Sequence, residues 1–235
     1  MNEFSFPPGE PVSVAVAGTH ARFPVHRIYC VGRNYADHVR EMGNDVREPP
    51  VFFMKPADAV VASGAAIAYP PGTSNLHHEV ELVVALGRGG RNLAPAAALG
   101  HVFGYAVGND LTRRDLQNAA KERRQPWDTA KGFDNSAPLG ALRPAAAGHP
   151  ARGRIWLSVN GQLRQESDLA EMIWDVPHIL ATLSQLFELR AGDLVFTGTP
   201  AGVGPLTPGD AVEAGIDGLE SLQHSIAPAN AGERA

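Results

Sequence analysis

Residues 76–86 read Leu-His-His-Glu-Val-Glu-Leu-Val-Val-Ala-Leu, a run rich in Val and Leu that predicts a strand. Positions 82–86 are all apolar, which predicts burial on both faces. Residues 102–110 repeat the pattern, and 12–17, 27–31, 51–55, 65–69 and 194–197 predict further short strands. Residues 155–159 and 162–165 flank Asn160-Gly161, a two-residue hairpin signal. Helical spacing is clearest over 176–188, where Ile179, Leu180, Leu183, Leu186 and Phe187 share a face and Pro177 suits the first turn. Weaker helical character covers 35–42, ahead of a polar segment reaching Pro50, and 111–117. The tail after Ile226 is expected to fray.

Composition sharpens this picture in one respect. The 25 glycines and 19 prolines punctuate many short segments, which favours a β-rich fold with long loops over a helical bundle. The 235 residues suffice for one large domain with a real core, or for a small lobe plus a core. A net charge of −5 without a long basic stretch argues against nucleic acid as a partner. The single cysteine, Cys30, excludes an intramolecular disulfide and a cysteine-cluster zinc site, and it is expected in the core. No basic-then-apolar leader pattern opens the chain and no apolar run approaches ~18 residues, so the expected compartment is the cytoplasm, away from membranes.

Candidate chemistry starts at Glu79 and Glu81. On one strand they point the same way, about 7 Å apart. Two buried like charges need something positive between them, and a hard divalent cation is the simplest candidate. The rival reading is an edge strand with a solvated acidic face, which the apolar run after the acids makes less apt. Asp110, closing the second strand, is either a third ligand or the N-cap of the helix expected after it. Three carboxylates with room for water and substrate suit Mg²⁺ or Mn²⁺. Arg113, Arg114, Lys121, Arg123 and Arg124 are expected on one helix. A solvated face accounts for most of them, and some can serve an anionic substrate. The loop Gly198-Thr199-Pro200-Ala201-Gly202-Val203-Gly204 lacks the Lys-Ser/Thr pair of a nucleotide cradle, and Pro205 and Pro208 rule out a following helix. A close backbone approach to a small ligand fits it better.

Several motifs together resemble the fumarylacetoacetate hydrolase family, over residues 25–225. They are Val31-Gly32-Arg33-Asn34-Tyr35-Ala36-Asp37-His38, Phe53-Met54-Lys55-Pro56, His77 to Glu81, Asn109 to Asp115, Lys131-Gly132-Phe133-Asp134, Val159-Asn160-Gly161 and Thr197 to Gly204. Trp127, residues 131–138 and Met172-Ile173-Trp174 bring the chain near the short, acylpyruvate-cleaving branch, especially the bacterial enzymes that act on fumarylpyruvate. The resemblance implies an α+β, β-rich fold, a mixed β-sandwich roll with a few short helices, usually a homodimer. It implies residues 1–24 as a lead-in, 25–226 as one catalytic domain with a mobile lid at 36–50, and 227–235 as a frayed tail. It implies Mg²⁺ (or Mn²⁺) held by Glu79, Glu81 and Asp110, and a catalytic pair of His38 and Glu41. At i and i+3 these two would be neighbours on a helical face, where the carboxylate orients the imidazole. Lys131 and Gln117 are implied as further catalytic groups, and Arg33, Arg114, Thr199 and Gly198 as substrate-binding groups. Longer members carry a further metal carboxylate where Val31 stands here, a difference that reads as subgroup identity. The implied reaction is hydrolysis of a 2,4-dioxo acid such as fumarylpyruvate to fumarate and pyruvate. An oxaloacetate decarboxylase, a 2-oxo-acid hydratase or isomerase, and a non-catalytic metal-binding protein are the rivals. Arg113, Arg123 and Arg124 are the cations considered for a distal carboxylate.

Overall fold

Val80–Leu86 is the strand around which the rest is arranged, and all seven of its residues are buried. In this computed structural model, which describes residues 4–36 and 50–229, it pairs antiparallel with Asp193–Phe196 on one edge and Val102–Asn109 on the other. The sheet continues through Arg27–Gly32 to Val51–Lys55 on the first side, and through Ala137–Leu139 to Val60–Ala62 on the second. Two of these pairings are parallel, so the sheet is mixed.

The period of two assigns each side chain to a face. Val80, Leu82, Val84 and Leu86 join one apolar cluster with Tyr29, Val31, Tyr105, Val107 and Val195. Val83 and Ala85 join the opposite one with Ile28, Cys30, Ala106, Leu194 and Phe196. The first cluster closes against a five-stranded sheet, ordered Gln162–Asp168, Arg154–Val159, Ala211–Ile216, Leu222–Ala227 and Ala66–Ala68, and against the helix Val176–Leu186. The second is covered by Val14, Val16 and Phe23 of the hairpin Ser13–Ala15/Arg22–Pro24. Burial on both faces is therefore what the apolar run predicted, and the fold is the expected β-rich mixed sandwich roll with few short helices. Each fully buried Leu or Val stabilises by roughly 1.5–3 kcal/mol.

Asn160 and Gly161 close their hairpin with φ of 52° and 74°, the left-handed pair that a type I′ turn requires. The helix expected to reach 188 ends at Leu186, which is 61% exposed. Phe187 leaves it in an extended conformation and packs its ring 5.1 Å from that of Tyr29. Pairing at the C-terminal end continues to Ala227, one residue past the point where fraying was expected. No helix among the described residues is long and apolar enough to cross a membrane. The expected lid and most of the helical stretch from 35 lie outside the described residues.

Candidate active site

The run 76–86 is not one strand. Leu76–His78 belongs to a three-stranded sheet with Thr112–Arg113 and Gly204–Leu206, and Val80 opens the central strand. The chain changes sheet at Glu79. Its partner segment does the same, since Val102–Asn109 ends just before Asp110 and Thr112 enters the small sheet opposite His77. The two crossings are locked together. Asp110 N donates to Glu79 O (2.8 Å), and Glu79 N donates to Asn109 Oδ1 (2.8 Å). Because Thr112 and Arg113 are drawn into strand pairing, the helix begins only at Arg114, with Arg113 at its N-cap position. Asp110 is therefore not a helix cap, and its carboxylate is available for other work.

That work is a carboxylate cluster. Glu79, Glu81 and Asp110 are 5%, 2% and 0% exposed, and they offer oxygens lying within 4.8 Å of one another. Three buried anions need compensation. Lys131 Nζ bonds Glu79 Oε2 (2.8 Å), Asp110 Oδ2 (2.6 Å) and Thr112 Oγ1 (2.6 Å). Lys55 Nζ pairs with Asp110 Oδ1 at 2.8 Å and donates to the carbonyls of Leu111 and Lys131. The Arg114 guanidinium pairs with Glu79 Oε1 and donates to Gln117 Oε1. Burial opposes the charge on Lys131, but Asp110 and Glu79 outweigh it and raise the ammonium above its usual value.

Glu81 is different. Its Oε2 accepts from Gly198 N at 2.7 Å, and among the described residues no cation forms an ion pair with it. Burial, then the Asp110 and Glu79 charges, push its carboxyl well up. A buried carboxylate without a cation, beside two more in an oxygen-only donor set, fits a hard divalent ion. Mg²⁺ or Mn²⁺ bound by Glu79, Glu81 and Asp110 would supply that missing charge.

A cleft opens over the cluster. Arg33, Arg114, Gln117, Lys131 and Thr199, all expected from the sequence, line it together with the three acids. Arg33 holds φ 64°, unusual for a residue with a side chain. Gly198, also expected at the site, donates its backbone N–H to Glu81 Oε2. With φ at 100°, a Cβ there would lie 2.6 Å from the Asn34 Cβ, so only glycine fits. His38 and Glu41 lie outside the described residues. Of the cations considered for a distal carboxylate, Arg113 sits over the Phe133 ring and donates to Thr129 O, and Arg123 and Arg124 are exposed. Lys121 lines the cleft instead.

Three supporting residues, Gln165, His224 and Lys55, carry roles that sequence reasoning did not assign. Gln165, 1% exposed, accepts from Val80 N (3.1 Å) and pairs with His78 Nδ1 (2.9 Å) through Oε1. Its Nε2 donates to Thr199 Oγ1 (2.8 Å) and Pro200 O (2.9 Å). It thus ties the residue between the two glutamates to the glycine-rich loop. His224 Nε2 lies 2.9 Å from Asn109 Nδ2. Since Asn109 Oδ1 accepts from Glu79 N, the amide must donate to His224, which is therefore neutral at Nε2. Burial, then His78, lower the His224 imidazole to about 4, in agreement. Lys55, quoted within a motif but given no role, also belongs to the cluster. Its signal is a lone cation closing the apolar stretch Val51-Phe52-Phe53-Met54.

Residues 27–227 match the family profile described as fumarylacetoacetate (FAA) hydrolase C-terminal. The fumarylpyruvate hydrolase of Pseudomonas aeruginosa, solved in complex with Mn²⁺ and pyruvate, is 51% identical with a TM-score of 0.94, over 96% of this chain and 100% of that one. The mouse mitochondrial oxaloacetate tautomerase FAHD1 is 46% identical over 200 residues, 85% of this chain and 90% of the relative. The oxaloacetate tautomerase YcgM of Escherichia coli is 44% identical over 198 residues, 83% and 90%. Agreement of this extent, on the fold and carboxylate cluster described above, makes the chain a member of the fumarylacetoacetate hydrolase family of enzymes.

Proposed function

We propose that the protein hydrolyses the C3–C4 bond of a 2,4-dioxo acid, with fumarylpyruvate as the favoured substrate and fumarate and pyruvate as products. The observation that carries this reading is the composition of the cleft. It joins an oxygen-donor triad, suited to the 2-oxo-acid end, to a cationic and aromatic extension lined by Lys121, Phe53 and Trp127, suited to a conjugated acyl group. The likeness to the Pseudomonas enzyme supports the same reading.

When bound, the divalent cation polarises the 2-oxo acid and steadies negative charge developing on it. The protein's own groups do the rest. His38, oriented by Glu41, takes a proton from water, and the resulting hydroxide attacks the C4 carbonyl carbon. Arg114 occupies the Oε1 of Gln117, so the amide N–H₂ of Gln117 is the end left to donate to the C4 oxyanion. The C3–C4 bond breaks, its electron pair leaves with the pyruvate enolate, and protonation at C3 completes pyruvate. A cytosolic homodimer belongs to the same proposal, and light scattering on the purified protein tests the assembly.

A second reading has specific support, because the mouse and E. coli relatives are oxaloacetate tautomerases. Tautomerisation needs proton transfer at C3 and no water. The test follows the enol absorbance of fumarylpyruvate, acetylpyruvate and oxaloacetate with Mg²⁺, Mn²⁺ or chelator, together with product analysis. Fast, metal-dependent release of fumarate and pyruvate, reduced about 10²- to 10⁴-fold in His38→Ala, is the expected result. Rapid oxaloacetate enol–keto exchange with intact fumarylpyruvate would replace hydrolysis by tautomerisation.

A further inference from the structure

Arg114, Gln117 and Lys121 stand at i, i+3 and i+7 of the helix Arg114–Glu122 and so share a face. All three line the cleft. Arg114 is committed to Glu79 and Gln117. Lys121 lies one turn beyond Gln117 and is half-buried. Its Nζ sits 5.5 Å from the centroid of the Trp127 ring, and among the described residues no anion pairs with it. Trp127 packs on Phe53 with centroids 5.7 Å apart, so two rings wall this part of the cleft. A partly dehydrated ammonium over an aromatic wall, with no counter-ion among the described residues, is prepared for an anion. Burial and then Arg114 lower the Lys121 ammonium to about 8, so it remains mostly charged near neutrality.

Resting on the reading above, we propose that Lys121 binds the distal carboxylate of the acyl group, making it a specificity-determining residue for 2,4-dioxo diacids. The spacing agrees. Four residues of helix separate Gln117 from Lys121 by about 6 Å. A fumaryl group carries its carboxylate carbon three bonds beyond C4, about 4 Å away when trans and about 3 Å when cis. If Gln117 holds the C4 oxygen, a trans acid reaches toward Lys121 and a cis acid turns short of it. The flat, conjugated linker lies along the two rings. Monoacyl substrates leave Lys121 without a partner.

The test compares Lys121→Met, Lys121→Gln and Lys121→Arg with wild type, each with Mg²⁺. Kinetics use fumarylpyruvate against acetylpyruvate. Calorimetry uses two inert ligands of the same chain length, 2-oxoheptanedioate and 2-oxoheptanoate, which differ only in the distal carboxylate. Wild type is expected to bind the diacid about tenfold or more tightly than the monoacid, as one charge-assisted hydrogen bond implies. Both neutral variants should erase that ratio and lower the fumarylpyruvate-to-acetylpyruvate ratio of kcat/KM about tenfold, mainly through KM. Lys121→Arg should keep most of both ratios. Equal binding of diacid and monoacid by wild type, or ratios that survive in the neutral variants, overturns the proposal. The two readings can fail separately. A diacid preference abolished in Lys121→Met without any fumarylpyruvate turnover sinks the hydrolase alone, whereas turnover with unmoved ratios sinks the Lys121 subsite alone.

Discussion

Gln165 offers the sharpest stability test, because all four of its hydrogen-bonding positions are used and none is ambiguous. Val80 N can only donate and Pro200 O can only accept, so the amide has one orientation. It follows that His78 carries its proton on Nδ1, and that Thr199 accepts through Oγ1 and points its own proton elsewhere. Gln165→Leu keeps the volume and removes every bond. Two buried backbone groups, Val80 N–H and Pro200 C=O, lose their partner at about 1–3 kcal/mol each, and His78 and Thr199 add about 1 kcal/mol more. The expected loss is about 3–7 kcal/mol, which at about 2–4 °C per kcal/mol for a chain of this size is roughly 6–28 °C in melting temperature. Urea unfolding should show a lower midpoint with an unaltered slope. KM should also rise, since the Thr199 hydroxyl is then free to turn. A variant within about 1 kcal/mol of wild type would refute the idea that this amide joins the glycine-rich loop to the carboxylate strand.

Two further outcomes concern the charges. Glu81→Gln should weaken Mn²⁺ binding by about a hundredfold or more, measured by titration with paramagnetic detection, while the metal-free melting temperature holds or rises. Gln still offers Gly198 N an acceptor, so a clearly destabilised apoprotein would contradict the picture of an unpaired charge. The His224 imidazole is held down at about 4, below its ordinary 6.5. Between those values the unfolded chain binds a proton that the folded protein does not, so stability falls as pH drops through that window, by up to about 3 kcal/mol. His77, also lowered to about 4, acts in the same direction. Melting temperatures from pH 7 to 4 should fall less steeply in His224→Gln, and parallel curves would remove His224 from the account.

The central architecture was legible where patterning is densest. Five apolar residues in a row, rich in Val and Leu, point to a strand covered on both faces, and Asn160-Gly161 is a strong hairpin signal. The three carboxylates were found because acids in an apolar run demand an explanation. What escaped was the chain crossing at Glu79. A change of sheet between consecutive residues leaves no mark on a period of two. For the same reason Asp110 looked like a helix cap, since only the pairing of Thr112 with His77 shows that the helix starts later. Lys55 and Gln165 act through tertiary contacts across 56 and 85 residues of sequence. Gln165 looks locally like a surface glutamine, and Lys55 differs from an ordinary strand-end lysine only in closing an apolar stretch. The choice of Lys121 over its arginine neighbours likewise depends on helix phase and on the Trp127 wall.

The crossing at Glu79 also bears on how metal and folding are linked. Two of the proposed ligands sit where strands leave one sheet and enter another, and the third depends on a glycine brought from residue 198. An unfolded or half-docked chain therefore holds no preformed site. The ion would then be a ligand of the native state alone, and each tenfold excess over its dissociation constant would add about 1.4 kcal/mol to the free energy of unfolding. Cellular metal supply would then set how long the molecule persists as well as how fast it turns over.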